Sequence, residues 1–211
     1  MLKLYISPVA PNPTKVRLYL AEKRALGCEI EVEEVPINLG KLDHKKPEHL
    51  ARNPFGVLPV LELKSGAFLI ESLSIIDFLE ELHPDPSIWG GDVESRALAR
   101  QVERIAELGG LIPMANVVHA TDSPVGREAN PIVAKHYRDR LTPNLDYLED
   151  LLSDGRPFLT GATVSVADCT LAAGFQFGRF RNLDFTEGYP EIQRWDSAYR
   201  KRDPATGIIV L

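Results

Sequence analysis

The pattern of apolar residues changes once along this chain, at His83-Pro84-Asp85-Pro86, and the two sides of that change must fold differently. Two prolines so close together disfavour a continuing helix and mark a linker. Before them, short β-rich runs alternate with helical ones. Residues 2–6 read as a strand. Asn12-Pro13 suits a helix start, with Asn as N-cap and Pro in the first helical position. Val16, Leu18, Tyr19, Leu20 and Ala21 supply an apolar helical face, and Gly27 ends the helix. Residues 29–37, 57–63 and 67–70 predict further strands, the last two joined by a Lys64-Ser65-Gly66 turn. Residues 38–53 read as a loop with a short helix, and residues 71–82 as a helix.

Beyond Asp92 the pattern predicts helices alone, apart from a candidate strand at residues 208–211. Residues 94–119 form one helical pattern with a kink expected at Pro113. Residues 130–152, 165–180 and 190–202 predict three more helices, and Ser123-Pro124-Val125-Gly126 a loop. An α/β half followed by an all-α half implies two packed domains. We expect residues 1–83 as the first, residues 84–92 as the linker and residues 93–211 as the second.

The bulk numbers exclude several classes. A net charge of −6 without a basic run gives no footprint for nucleic acid. No apolar run approaches the ~20 residues of a membrane helix. Cys28 and Cys169 are the only cysteines, far apart and without metal-ligand spacing, so neither a disulfide scaffold nor a metal site is expected. The first residues lack the apolar core of a signal peptide. These features together predict a cytoplasmic protein.

Three segments carry chemistry. In Asn53-Pro54-Phe55-Gly56-Val57-Leu58-Pro59-Val60-Leu61, a proline opens a strand pattern, where it has no amide for the ladder. A cis Leu58-Pro59 bond would turn the Leu58 backbone outward to pair with an extended peptide ligand. The simpler alternative is an edge-strand proline. In Ile70-Glu71-Ser72-Leu73 a helix starts straight after a strand. Its free amides and positive dipole end attract a carboxylate, while Glu71 can pair with an ammonium, so the pair suits an α-amino acid head group. Simple capping is the alternative. His44 and Lys45, in a polar loop, could clamp a second carboxylate or be a solvated surface.

Taken together, these segments resemble the glutathione transferase superfamily. His44-Lys45 before Pro47-Glu48-His49-Leu50 resembles the part that holds the glycine carboxylate of glutathione. The second half matches too. Phe158-Leu159-Thr160-Gly161 before Ser165-Val166-Ala167-Asp168 resembles the family's buried capping box, and Tyr189-Pro190 with Trp195 its closing helix. The resemblance covers nearly the whole chain. It implies a thioredoxin-like first domain, an all-α second domain, glutathione as co-substrate, no metal, and a homodimer. It implies that Glu71 and Ser72 hold the γ-glutamyl head, Leu58 beside Pro59 pairs with the cysteinyl backbone, and His44 and Lys45 hold the tail. Ser165 and Asp168 are then structural, because a capping box satisfies helix-end amides in both directions.

The thiol is where the chain departs from the pattern. Conjugation needs the thiolate, and many relatives place a Ser, Cys or Tyr beside the sulfur. Here that position falls on Ala10, which has no donor. Asn12 matches an asparagine of reductase-type relatives with Thr-Pro-Asn or Ser-Pro-Asn. Residues 40–48 and His119-Ala120-Thr121 resemble a yeast and bacterial group that lacks the usual residue. That likeness implies activation by a helix N-terminus and an ordered water, with His119 nearby. Ser7, just past the first strand, ranks below both. The second substrate, a small hydrophobic electrophile, should sit near residues 113–119, with Phe175, Phe177 and Phe180 as candidate walls and Arg17, Arg179 and Arg181 as candidate anion partners. The leading expectation is a detoxifying conjugation of glutathione. A glutathione-dependent disulfide or peroxide reductase and a non-catalytic glutathione-binding protein are the alternatives.

Overall fold

The computed structural model describes residues 1–210. Strands β1 (Leu2–Ile6), β2 (Val32–Pro36), β3 (Val60–Glu62) and β4 (Phe68–Ile70) form one sheet in the order β2-β1-β3-β4. β1 is parallel to β2 and antiparallel to β3, with Tyr5 opposite both Val35 and Val60. β3 pairs antiparallel with β4. As an inner strand, β1 is apolar nearly throughout, and Leu2, Leu4, Tyr5 and Ile6 are all buried. Helices α1 (Pro11–Ala25) and α3 (Ser72–Leu82) pack on each other, and the short α2 (Pro47–Leu50) follows a 3-10 turn at Asp43–Lys45.

The start of α1 corrects the sequence reading. Ala10, not Asn12, is the N-cap, with extended backbone (φ −70°, ψ 135°). Pro11 supplies the reason. It pushes the residue before it out of the helical region, and its own fixed φ suits the first helical position. Gly27 closes the helix at φ +87°, as expected, with the Cys28 N–H bonded to the Lys23 carbonyl. Strands β2, β3 and β4 are each shorter than the β-rich runs that predict them.

The second half is helical: α4 (Val93–Ile105), α5 (Ile112–Thr121), α6 (Pro131–Leu152), α7 (Val166–Phe180) and α8 (Pro190–Arg200). Between α4 and α5 the helix does not break but widens into a π-helical turn, Ala106–Leu111. Pro113 lies just beyond it and has no N–H to return to the preceding turn, so the ladder there is re-formed with a longer step. Asn130 caps α6 through a 3.1 Å bond from the Val133 N–H. Ile208 ends a turn, and Ile209 and Val210 join no strand. Leu211, the end of that candidate strand, lies outside the described residues.

Helix α7 is the pillar of this half, buried from Val166 to Gly178. A Cβ on Gly174 would sit 3.2 Å from Leu111 Cα, at the end of the π turn, and 2.9 Å from Met114 Sδ of α5, so the close approach of these segments to α7 favours glycine. At the foot of α7, the buried Asp168 carboxylate accepts from Leu159 N–H (2.9 Å), Ser165 N–H (2.9 Å), Ser165 Oγ (2.9 Å) and Trp195 Nε1 (3.0 Å). Asp168 is therefore structural, tying three segments of chain to one point.

The two halves share one continuous apolar core and a buried ionic seam. Lys15 of α1 has no exposed surface, and its ammonium lies 2.9 Å from Glu107 and 3.6 Å from Glu103. Glu103 also accepts from Thr170 Oγ1 of α7 at 3.1 Å. Lower on α1, buried Glu22 pairs with Arg202 at 2.6 Å.

Candidate active site

A cavity of about 840 Å³ opens between the sheet end and the helical half. The loops after β1 and β2 form one side, and α5, the loop after it and the end of α7 form the other. His44, Lys45, Leu58 and His119 all line this cavity. Asn12, Pro59, Glu71 and Ser72 are not among its walls, although Asn12 directly follows Pro11, which is.

The Leu58-Pro59 bond is cis. The carbonyl just before it, on Val57, is held by buried Asn53 (Nδ2, 2.9 Å), and buried His49 Nε2 lies 3.1 Å from the same oxygen. The loop that presents Leu58 is thus fixed from beneath. His44 is buried, and its Nδ1 has no partner among the described residues. Burial first, then the neighbouring Lys45 and His49, push its pKa below the ordinary histidine value. The Lys45 ammonium donates to the carbonyls of Gly56 (3.1 Å) and Phe55 (3.4 Å).

Asn12 and Ser72 meet where α1 and α3 begin: Ser72 Oγ donates to Asn12 Oδ1 at 3.2 Å. Two positive helix ends therefore converge beside the cavity. Glu71, exposed at the N-cap of α3, adopts φ +71°. A non-glycine residue there costs of order 1–3 kcal/mol, and such strain gathers at functional sites. The end of α1 is unusual in its donors. The Ala10 N–H bonds to Ser7 O and the Thr14 N–H to Ala10 O, while Pro11 and Pro13 have none. The Asn12 N–H is the one backbone donor of that turn left without a partner among the described residues.

Across the cavity, His119 Nδ1 lies 3.0 Å from Ser123 Oγ, and its ring centroid is 5.6 Å from that of Phe177. Burial, and secondarily the charge of Arg127, push its pKa down to about 4. The imidazole is neutral at pH 7. Between about 4 and its ordinary value of about 6.5, the unfolded chain binds this proton and the native protein does not. Stability held by the neutral ring is full above that window and lost as pH falls through it. We therefore expect His119→Gln to reduce the stability lost between pH 6.5 and 4 by about 1–3 kcal/mol, read from urea midpoints at several pH values. Equal losses in both proteins would refute this.

Other candidates separate cleanly. Phe177 and Phe180 line the cavity, whereas Phe175 packs on Trp195 in the core. Ser7 lines the cavity. Tyr5 donates to Glu62 at 2.6 Å and lies beneath the Arg52 guanidinium. Arg17 pairs with Glu34, Arg179 with Asp196 and Arg181 with Asp122, so each of these arginines has a carboxylate partner. The arginine on the cavity wall is Arg127, in the loop after α5. Sequence reasoning passed it over, because nothing local separates it from a solvated loop residue.

The fold is a thioredoxin-like sheet domain joined to a helical domain, with the cavity at the seam. Family models agree. The glutathione S-transferase N-terminal domain matches residues 4–87, and the glutathione S-transferase C-terminal domain matches residues 97–195. Glutathione S-transferase 2 of Saccharomyces cerevisiae is 32% identical over 203 residues, covering 94% of this chain and 85% of the yeast protein. The crystal structure of Gtt2 from Saccharomyces cerevisiae superposes with a TM-score of 0.85 at 30% identity, covering 98% of this chain and 99% of that one. A glutathione S-transferase from Methylobacillus flagellatus, solved with GSH bound, has a TM-score of 0.81 at 25% identity, covering 99% and 98%. The chain belongs to the glutathione S-transferase family.

Proposed function

We propose that this protein is a glutathione transferase that joins the glutathione sulfur to a small hydrophobic electrophile. The observation that carries this reading is the meeting of two helix N-termini, at Asn12 and Ser72, beside a cavity with apolar residues on its far side. Residues 1–83 hold glutathione and residues 93–211 complete the electrophile site. The γ-glutamyl head lies at the start of α3, with its carboxylate at Ser72 and its ammonium at Glu71. The cysteinyl backbone pairs with Leu58 ahead of Pro59. The glycine carboxylate meets His44 and Lys45.

The sulfur then lies at the start of α1. Ala10 offers it no side-chain donor, so the thiolate is stabilised by the dipole end, the Asn12 N–H and the Asn12 amide. A helix N-terminus lowers a thiol pKa by favouring its anion. His119, neutral and a weak base, serves as a hydrogen-bonding group through Nε2 or an ordered water, and not as the proton acceptor. The sulfur lone pair forms the new S–C bond. In substitution the leaving group departs with its bonding pair, and in addition the displaced π pair takes a proton from water. Detoxification of such electrophiles is the role this chemistry serves, and the free Cys28 and Cys169 favour a reducing compartment such as the cytoplasm. A homodimer fits the apolar Phe55, 67% exposed on the loop before β3, as a surface for a second copy.

The test is a pH titration of bound glutathione by thiolate absorbance, in the wild type, Asn12→Ala and His119→Ala. We expect a thiol pKa at least one unit below the free value of about 8.5, moving back in Asn12→Ala and less in His119→Ala. No depression in the wild type would overturn the transferase reading in favour of a glutathione-binding protein.

A further inference from the structure

We propose that the electrophile is an anion with an apolar body, and that Arg127 selects it. This rests on the transferase reading, and it concerns the part of the cavity that glutathione leaves free.

Apolar residues line both sides of the cavity, Pro8 and Val9 from the loop after β1 and Pro124, Val125, Phe177 and Phe180 from the helical half. The charges on the cavity wall are few. Lys45 is held by the Gly56 and Phe55 carbonyls at the glycine end of the tripeptide site. Asp43, the acidic residue of the wall, is paired with Lys46 at 2.6 Å. That leaves Arg127, on the same side as His119. Its guanidinium has no carboxylate and no hydrogen-bond partner among the described residues. The contrast with Arg17, Arg179 and Arg181 is informative, because those charges are already matched.

An unmatched guanidinium beside an apolar wall recognises a carboxylate or a similar planar anion attached to a hydrophobic group. The net charge of −6 makes this local cation more significant, since the field of the whole chain otherwise repels anions. At about 840 Å³ the cavity lies high in the range of roughly 300–1,000 Å³ typical of ligand sites.

The test compares two conjugates of identical shape. S-(4-carboxy-2-nitrophenyl)glutathione carries an ionised carboxylate at pH 7.5, and its 4-carboxamide is neutral there. Each is the product of one substitution, in which the thiolate bonds to the ring carbon and chloride leaves with its electron pair. Titration calorimetry gives the ratio of their dissociation constants without depending on turnover. In the wild type the carboxylate should bind more tightly. In Arg127→Gln that preference should fall about three- to fivefold, as for a charge at a solvent-facing rim, while Arg127→Lys keeps most of it. The wild-type preference should also shrink with added salt. A ratio unmoved by Arg127→Gln, or a wild type that prefers the carboxamide, overturns the proposal. The transferase reading is decided separately by the thiolate titration, so the two failures can be told apart.

Discussion

Asp168→Ala is expected to lower the unfolding free energy by about 4 kcal/mol, because the native fold then holds buried donors with nothing to accept them. The donors are Leu159 N–H, Ser165 N–H, Ser165 Oγ and Trp195 Nε1. Each buried donor left unmatched costs about 1–3 kcal/mol. The sum is tempered because a hydroxyl can rotate, and because the carboxylate itself is costly to bury. Burial pushes its pKa up to about 6 against the pull of those bonds. At pH 7.5 it is ionised, and urea unfolding there measures the full effect. A folded domain has about 5–15 kcal/mol in hand, so the loss should be visible as poor yield at 37 °C. Asp168 touches neither helix end at the thiol, so the variant that remains folded should bind glutathione like the wild type. A loss below about 1 kcal/mol would place Asp168 among ordinary caps and sink this account.

Lys15→Met should be comparably severe, by about 3–5 kcal/mol, for a different reason. It strips the counter-charge from Glu103, whose side chain is fully buried. Glu107 fares better, since it is partly exposed and also pairs with Arg104. Burial already raises the Glu103 pKa, and Lys15 is the chief influence pulling it down. Without Lys15 the pKa rises further, and the native state takes up a proton at higher pH than the unfolded chain does. The defect of the variant should therefore shrink as pH falls and be largest above neutrality. Adding Glu103→Leu should recover most of the loss, because a buried ion pair replaced whole by apolar groups is often near neutral. Urea melts of the two single variants and the double variant complete the cycle. A double variant no more stable than Lys15→Met alone would show that the lysine acts through its packing instead.

Much of this architecture is legible in the sequence because its punctuation is chemical. His83-Pro84-Asp85-Pro86 falls between α3 and α4, Gly27 closes α1, and Ser165 with Asp168 opens α7. The errors have equally local causes. Pro11 and Pro13 both suit a helix start, and pattern alone chose the second. The run over residues 57–63 is β-rich, but the ladder begins only at Val60, past the cis bond. A proline at position 113 signals a kink, whereas the fold absorbs it in a widened turn. The site divides similarly. His44, Lys45, Leu58 and His119 could be named from motifs, yet their meeting in one cavity depends on how α5 packs over the sheet loops. Arg127 could not be found that way. What distinguishes it from Arg17, Arg179 and Arg181 is a place on the cavity wall without a carboxylate partner, and no sequence states that.

The run from Ala10 to Thr14 has a consequence for spectroscopy. Pro11 and Pro13 have no amide proton, so Asn12 supplies the one signal between Ala10 and Thr14 in an amide NMR spectrum. With that N–H otherwise unbonded, its resonance should respond directly to the charge on a bound sulfur. Followed across pH, it would serve as a built-in electrode at the atom where the chemistry begins.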